Sequence, residues 1–303
     1  MTVEPPVPYG IEQPPDVLYH YTRYANLIDI IKSNSIWATD IRYLNDSNEY
    51  RDAINRMHDM VEAYLAVGPL QEGDGDGQKW KNVQAFCHKI LFKLKNPSAW
   101  VTWNVYTVSF STHQDDLSQW RAYARPAGVA LGFDTASLQV LAQAHGYRLQ
   151  RCVYNDAEKV EILEISLKKY FEILWNTDTD GVQKSEELVQ HTYFQFSQEF
   201  EWLAATFKDD AFVQEAEWRL ISGRYPKRGS LVFHSSGSTI IPHQPFLFST
   251  TIKNRIYRVG LPEVVIGPTN QRDLNSFAVF TLFQEFIGKS PNLKQSSAPY
   301  RDI

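Results

Sequence analysis

Hydrophobic and polar positions along this chain fall into short blocks whose period changes repeatedly between two and about 3.6 residues. Val17-Leu18-Tyr19-His20 reads as an extended run. Alternation puts His20 on the face of Leu18 and Thr22, with Tyr19 and Tyr21 on the other. An amphipathic helix follows at once, carried by Leu27, Ile28, Ile30 and Ile31. A second short strand is expected at 35–38. Helical spacing returns at Ile54, Met57, Val61 and Leu65, after Asp46 and Glu49 at capping-box separation. A further helix over 80–95 stops at Asn96-Pro97.

Residues 106–111 alternate like a half-buried strand. Asp115 or Asp116 then caps a short helix over 117–124, broken before Pro126. A strand is expected at 128–134, a helix capped by Thr135 after it, and an extended stretch at 149–154. The middle reads as two helices, 157–175 and 185–207. Strands at 217–222, 231–234, 240–248 and 263–266 follow, then a last helix at 274–286. There is no regular strand–helix–strand rhythm and no internal repeat, so the class is α+β. The expected organisation is a Pro-rich arm over 1–16 and one domain over 17–303, with a helical insertion at about 157–207.

Composition narrows the function classes. A chain of 303 residues, 43% hydrophobic and 21% charged, is an ordinary globular protein with a sizeable core. A net charge of -5 leaves no broad basic field for nucleic acid, although Arg224, Lys227 and Arg228 form a local basic group. The first residues lack a basic segment and an apolar core, and no apolar run spans a bilayer, so the expectation is a soluble cytoplasmic protein. Two cysteines, Cys87 and Cys152, build neither a disulfide framework nor a zinc site. The eight histidines show no metal spacing, and no metal is expected. The Gly73–Gly77 segment matches neither a calcium loop nor a dinucleotide fingerprint, and Gly288-Lys289-Ser290 lacks the glycine of a phosphate loop. No HExxH or GxSxG motif occurs.

Three polar clusters remain on or beside expected strands. The first is His20 with Thr22. The second is Ser109 and Ser111, followed by Gln119-Trp120-Arg121-Ala122-Tyr123, in which Trp120 and Tyr123 share a helix face. The third is Glu215-Ala216-Glu217-Trp218-Arg219, where strand alternation would line up Glu215, Glu217 and Arg219. Each also has an ordinary structural role: His20 as a satisfied strand residue, Trp120 and Tyr123 as core anchors, Glu217 with Arg219 as an ion pair.

These phrases, with Leu44-Asn45-Asp46-Ser47-Asn48-Glu49 and Gly128 through Asp134, occur in an order that resembles a widespread bacterial domain family of unknown function, numbered twenty-nine seventy-one. A more distant likeness is to the ADP-ribosyltransferases of the His-Tyr-Glu type. That resemblance implies a split, highly curved β core with helical insertions that clamps NAD. It makes NAD the substrate, with ADP-ribose passing to a protein, nucleic acid or small-molecule acceptor, and a toxin or phage-defence effector as the biological role. His20 would contact a ribose hydroxyl, Tyr123 or Trp120 would stack on nicotinamide, and Glu217 or Glu215 would be the catalytic carboxylate. Thr22, Ser109 and Arg219 would add polar contacts. The Ser109-Phe110-Ser111 strand is similar to that of a second transferase branch, so the chain mixes two patterns. The alternatives are a non-catalytic nucleotide- or nucleic-acid-binding module, and a partner-binding protein using the helical middle.

Overall fold

The computed structural model describes residues 13–44, 47–68, 77–95, 105–178, 181–223 and 226–299. The expected cap at Asp46, most of the Gly73–Gly77 segment, the Asn96-Pro97 stop and Arg224 lie outside them. The chain divides into two compact units.

One unit is helical and draws on residues 44–105 and 153–210. It contains α2 (Ser47–Val67), α3 (Gln78–Lys95), α6 (Asp156–Asn176) and α7 (Val182–Ala204). Helical periodicity gives each an apolar stripe: Phe86 and Ile90 on α3, Leu163, Leu167 and Phe171 on α6, Val189, Phe196 and Phe200 on α7. Phe86 meets Phe196 edge-on at 5.4 Å, and Tyr64 stacks on Phe171 at 4.1 Å. Asn155 caps α6 through the Glu158 amide. The helices expected at 157–207 fall in this unit, together with α2 and α3.

The second unit holds the sheet. Its elements are β1 (Val17–Arg23), α1 (Tyr24–Ser33), β2 (Ser35–Asp40), β3 (Tyr106–Ser111), α4 (Leu117–Tyr123), β4 (Gly128–Asp134), α5 (Thr135–His145), β5 (Tyr147–Arg151), β6 (Glu217–Ser222), β7 (Val232–Ser236), β8 (Thr239–Leu247), β9 (Ser249–Ile252), β10 (Arg255–Arg258), β11 (Glu263–Ile266), α8 (Arg272–Ile287) and β12 (Asn292–Gln295). Ten of these strands join one mixed sheet, in which only β11 and β12 run parallel. The class is therefore α+β, as expected, and it is built on a central mixed sheet.

The sheet forks at β3. One edge of β3 pairs with β6 over five residues, Thr107–Ser111 against Ile221–Glu217. The other edge is shared: β1 meets it at Ser111, and β2 meets it at Thr107 and Tyr106. Ser109 faces the gap, and it is the exposed residue of an otherwise buried strand. The main core, with Leu18, Phe110, Leu131, Phe133, Trp218 and Leu220, covers one face beneath α1, α5 and α8. A smaller cluster of Tyr19, Tyr21, Trp120, Ala130 and Val265 covers the other beneath α4.

Several local expectations are corrected. Asp134, not Thr135, caps α5 by accepting the Ser137 amide at 2.9 Å; Thr135 donates to the Pro15 carbonyl at 2.6 Å, docking the end of the expected N-terminal arm. Of the two residues expected to cap α4, Asp116 does so, accepting the Ser118 and Gln119 amides. The β9–β10 hairpin and β12 were not expected. The hairpin turns on Lys253 and Asn254, both at positive φ, without the glycine that usually announces such a turn. Cys87 and Cys152 are both buried free thiols. No helix among the described residues is long and apolar enough to cross a membrane.

Candidate functional site

His20 sits where the ladder between β1 and β3 ends. Tyr19 is still paired with Ser111. One residue on, the His20 Nδ1 contacts the Ser109 carbonyl at 2.9 Å, and its ring meets Phe110 edge-on at 6.1 Å. The imidazole occupies the opening of the fork and satisfies a carbonyl that has lost its strand partner. Desolvation holds the His20 pKa below the ordinary imidazole value, and the carbonyl contact opposes this only in part.

Pairing in the sheet also decides which side chains share a face, because residues directly opposite one another point the same way. Tyr19, Ser111 and Glu217 are opposite one another in succession across β1, β3 and β6, and Ser109 is opposite Arg219. These residues therefore lie on the face under α4. His20 alternates with Tyr19 and lies on the face of Leu18 and Phe110. The expected convergence of His20 and Glu217 in one cleft is thus corrected: the two side chains point to opposite sides of the sheet. Thr22, on the His20 face, is buried.

Glu217 and Arg219 form an ion pair within β6, Nε to Oε1 at 2.8 Å, with both side chains at most 4% exposed. Glu215 is not in register with them, which corrects the expected line of three. It ends a 3-10 helix (Asp210–Glu215), and Ala216 follows with φ at 43°. That left-handed residue breaks strand alternation before β6 begins. Its carbonyl accepts the Thr112 amide at 3.2 Å, and the Ser111 hydroxyl donates to the Glu215 carbonyl at 2.7 Å. The backbone on either side of Glu215 is so tied to the end of β3. Its carboxylate accepts from the Tyr123 hydroxyl at 3.2 Å.

Tyr123 is presented by α4, and α4 is braced from three directions. Asp116 caps it. Tyr21 donates to the His113 carbonyl at 2.7 Å and accepts the Asp116 amide at 3.0 Å, fixing the loop that leads in. Trp120 packs edge-on against Tyr21 at 4.6 Å and donates its indole N–H to Asp115 at 2.7 Å. Asp115 also accepts from Ser296 and from the Ser297 amide and hydroxyl. Burial raises the Asp115 carboxyl, but these hydrogen bonds outweigh it and hold the group below its usual range. Trp120 is 4% exposed and acts as an anchor, whereas Tyr123 is 38% exposed.

The structure thus brings together Tyr123 and Glu215, with Ser111 supporting Glu215 through its backbone. It pairs Glu217 with Arg219 below the surface and leaves Ser109 exposed at the fork. It sets His20 and Thr22 on the far face. Among the described residues no group of three His, Cys, Asp or Glu side chains is arranged to hold a metal ion. Of the noted basic group, Lys227 and Arg228 are exposed. Sequence reasoning offered Asp115 only as a helix cap and gave Tyr21 no role; how they brace α4 also depends on partners 92 to 182 residues away. Their only local signal was position, one beside His20 and the other just ahead of α4.

Neither the curated proteins nor the solved structures contain a match to this chain. Residues 119–220, about a third of it, match the model of a family described as "Protein of unknown function (DUF2971)". That stretch runs from within α4 to within β6. It includes Tyr123, Glu215, Glu217 and Arg219 and leaves out His20, Thr22 and Ser109, so the similarity to that family rests on the α4–β6 half of the site.

Proposed function

We propose that the chain is an NAD-using, ADP-ribosyltransferase-like enzyme in which the reactive carboxylate is Glu215 rather than Glu217. The observation that carries this choice is the 3.2 Å hydrogen bond from Tyr123 to Glu215, beside a Glu217 already paired with Arg219. A carboxylate neutralised by a buried guanidinium is a poor partner for a second cation. Glu215 is half-buried and reached by solvent.

In this reading the C1′–N bond of NAD breaks and its electron pair leaves on nicotinamide, which becomes neutral. The positive charge passes to the ribose, much as in glycoside hydrolysis. Glu215 stabilises that charge more in the transition state than in the bound substrate. Tyr123 orients the carboxylate through its hydroxyl, and its exposed ring offers a face to the cationic nicotinamide. The acceptor nucleophile then bonds to C1′, and its proton passes to Glu215 or to water.

The test is release of free nicotinamide from NAD. Wild type should release it, and Glu215→Gln should lose at least ~100-fold, the scale of a lost transition-state contact, with an unchanged unfolding midpoint. Undiminished turnover in that variant ends the assignment. A second reading, nucleotide binding without turnover, is favoured by the opposite-face placement of His20 and by the sequestered Glu217. It predicts calorimetric binding with no nicotinamide release by wild type.

A further inference from the structure

Against α4, and lined by neither Tyr123 nor Glu215, lies a cleft of about 290 Å³. Its apolar walls are Leu117, Trp120, Pro126 and Pro268, and Arg121 and Arg125 line it. No acidic side chain is among its lining residues. Both arginines are exposed, and neither makes an ion pair or side-chain hydrogen bond among the described residues. The whole chain carries a net charge of -5, so two guanidiniums without a carboxylate run against its average. The negative end of a seven-residue helix accounts for one nearby cation. It does not account for two of them around an apolar concavity.

The cleft is also held in shape. The Gly267 amide donates to the Gly128 carbonyl at 2.9 Å, closing the strand ends that form its floor. A Cβ on Gly267 would come within 2.9 Å of the Trp120 ring, so indole and backbone are in close contact. Tyr21 and Asp115 fix Trp120 from the other side. A rigid apolar wall with two forked cations has the features of a preformed small-molecule site.

The geometry points to this cleft as a binding site for a small organic phosphate, with the phosphate held by Arg121 and Arg125 and a flat group against the Trp120 and proline wall. Guanidinium forks match phosphate oxygens in pairs. The volume lies near the small end of ligand pockets, which run from about 300 to 1,000 Å³. It suits a mononucleotide and is too small for a dinucleotide. The inference does not depend on Glu215 chemistry.

AMP is the probe, because it has no nicotinamide bond and its binding is read without reference to turnover. Isothermal titration should give saturable AMP binding that weakens as salt rises. Adenosine and inorganic phosphate should each bind at least ~10-fold more weakly, since each keeps only half of the contacts. The Arg121→Ala/Arg125→Ala double variant should lose at least ~10-fold in affinity while its unfolding midpoint stays put, as expected for exposed side chains. Absence of saturable binding at millimolar AMP, equal binding of adenosine, or undiminished affinity in the double variant overturns the proposal.

Discussion

Glu217 and Arg219 lie two residues apart on β6 and close an ion pair at 2.8 Å, with the side chains only 4% and 3% exposed. A strand places such residues on one face, and burial removes the water that would otherwise screen them. The pair is therefore a structural unit before it is anything else.

Glu217→Leu should destabilise the protein by ~3–5 kcal/mol, because the buried Arg219 charge would lose the carboxylate that it meets at 2.8 Å. Replacing both residues by Leu and Met should recover most of that loss. Urea unfolding of the two single variants and the double variant measures the coupling. If Glu217→Leu unfolds like wild type, the pair carries no such weight.

Tyr123→Phe removes one hydrogen bond at a partly exposed site, so stability should change by less than ~1 kcal/mol. Under the proposed chemistry, nicotinamide release should still fall by about 10-fold or more, because the carboxylate loses its orientation. A parallel fall in stability and turnover would mean that Tyr123 only anchors α4.

Gly267→Ala should cost ~1–3 kcal/mol, the usual range for overpacking. The added Cβ would meet the Trp120 ring and the Gly128 carbonyl, each at 2.9 Å. Gly128→Ala should cost more, since its Cβ would fall 2.0 Å from the Thr22 carbonyl. Thermal unfolding gives the order, and AMP titration reports whether the cleft survives in Gly267→Ala.

Acid should weaken the fold through His243 and His20. Burial, helped by the neighbouring His234, lowers the His243 pKa to about 4, and burial lowers that of His20. Above the ordinary value of 6.5 both are neutral, folded or unfolded, and stability does not depend on them. Between 6.5 and about 4 the unfolded chain binds the His243 proton and the folded chain does not, so stability falls as pH drops. The slope is at most about 1.4 kcal/mol per pH unit for each group. His243→Gln should flatten this limb in urea titrations at pH 7.5 and 5; an unchanged slope would assign the acid sensitivity to other groups.

Glu201 in the helical unit works in the opposite sense. Burial raises its pKa to about 7, with Lys93 opposing. Between 4.5 and about 7 the folded chain holds a proton that the unfolded chain releases, so stability falls as pH rises through that window. Glu201→Gln should therefore stabilise the protein above pH 7, by on the order of 1–2 kcal/mol after solvent screening of a half-buried group. No gain at pH 8 over pH 5 would count against it.

What could be read along the chain was local. Leu27, Ile30 and Ile31 at helical spacing, the alternation of 106–111 and 217–222, and the breaks before Pro126 and after Ile266 follow from side-chain periodicity and backbone sterics, which act within a few residues. The α+β class came from the same signals. The β9–β10 hairpin escaped because Lys253 and Asn254 reach positive φ without glycine, under the demands of pairing.

The site was decided by tertiary structure. Periodicity assigned His20 to the face of Leu18 and Glu217 to the face of Arg219, yet it could not relate those faces to each other. Only the pairing of β1 with β3 and of β3 with β6 does so, and it puts His20 and Glu217 on opposite sides of the sheet. Ala216 was equally silent, because its positive φ is imposed by contacts at Thr112 and Val213 and separates Glu215 from the strand that follows. The cleft with Arg121 and Arg125 needed Pro268 and the loop after β11, some 140 residues further along. Local sequence sets which way a side chain turns relative to its neighbours; strand register and long-range packing set what it meets.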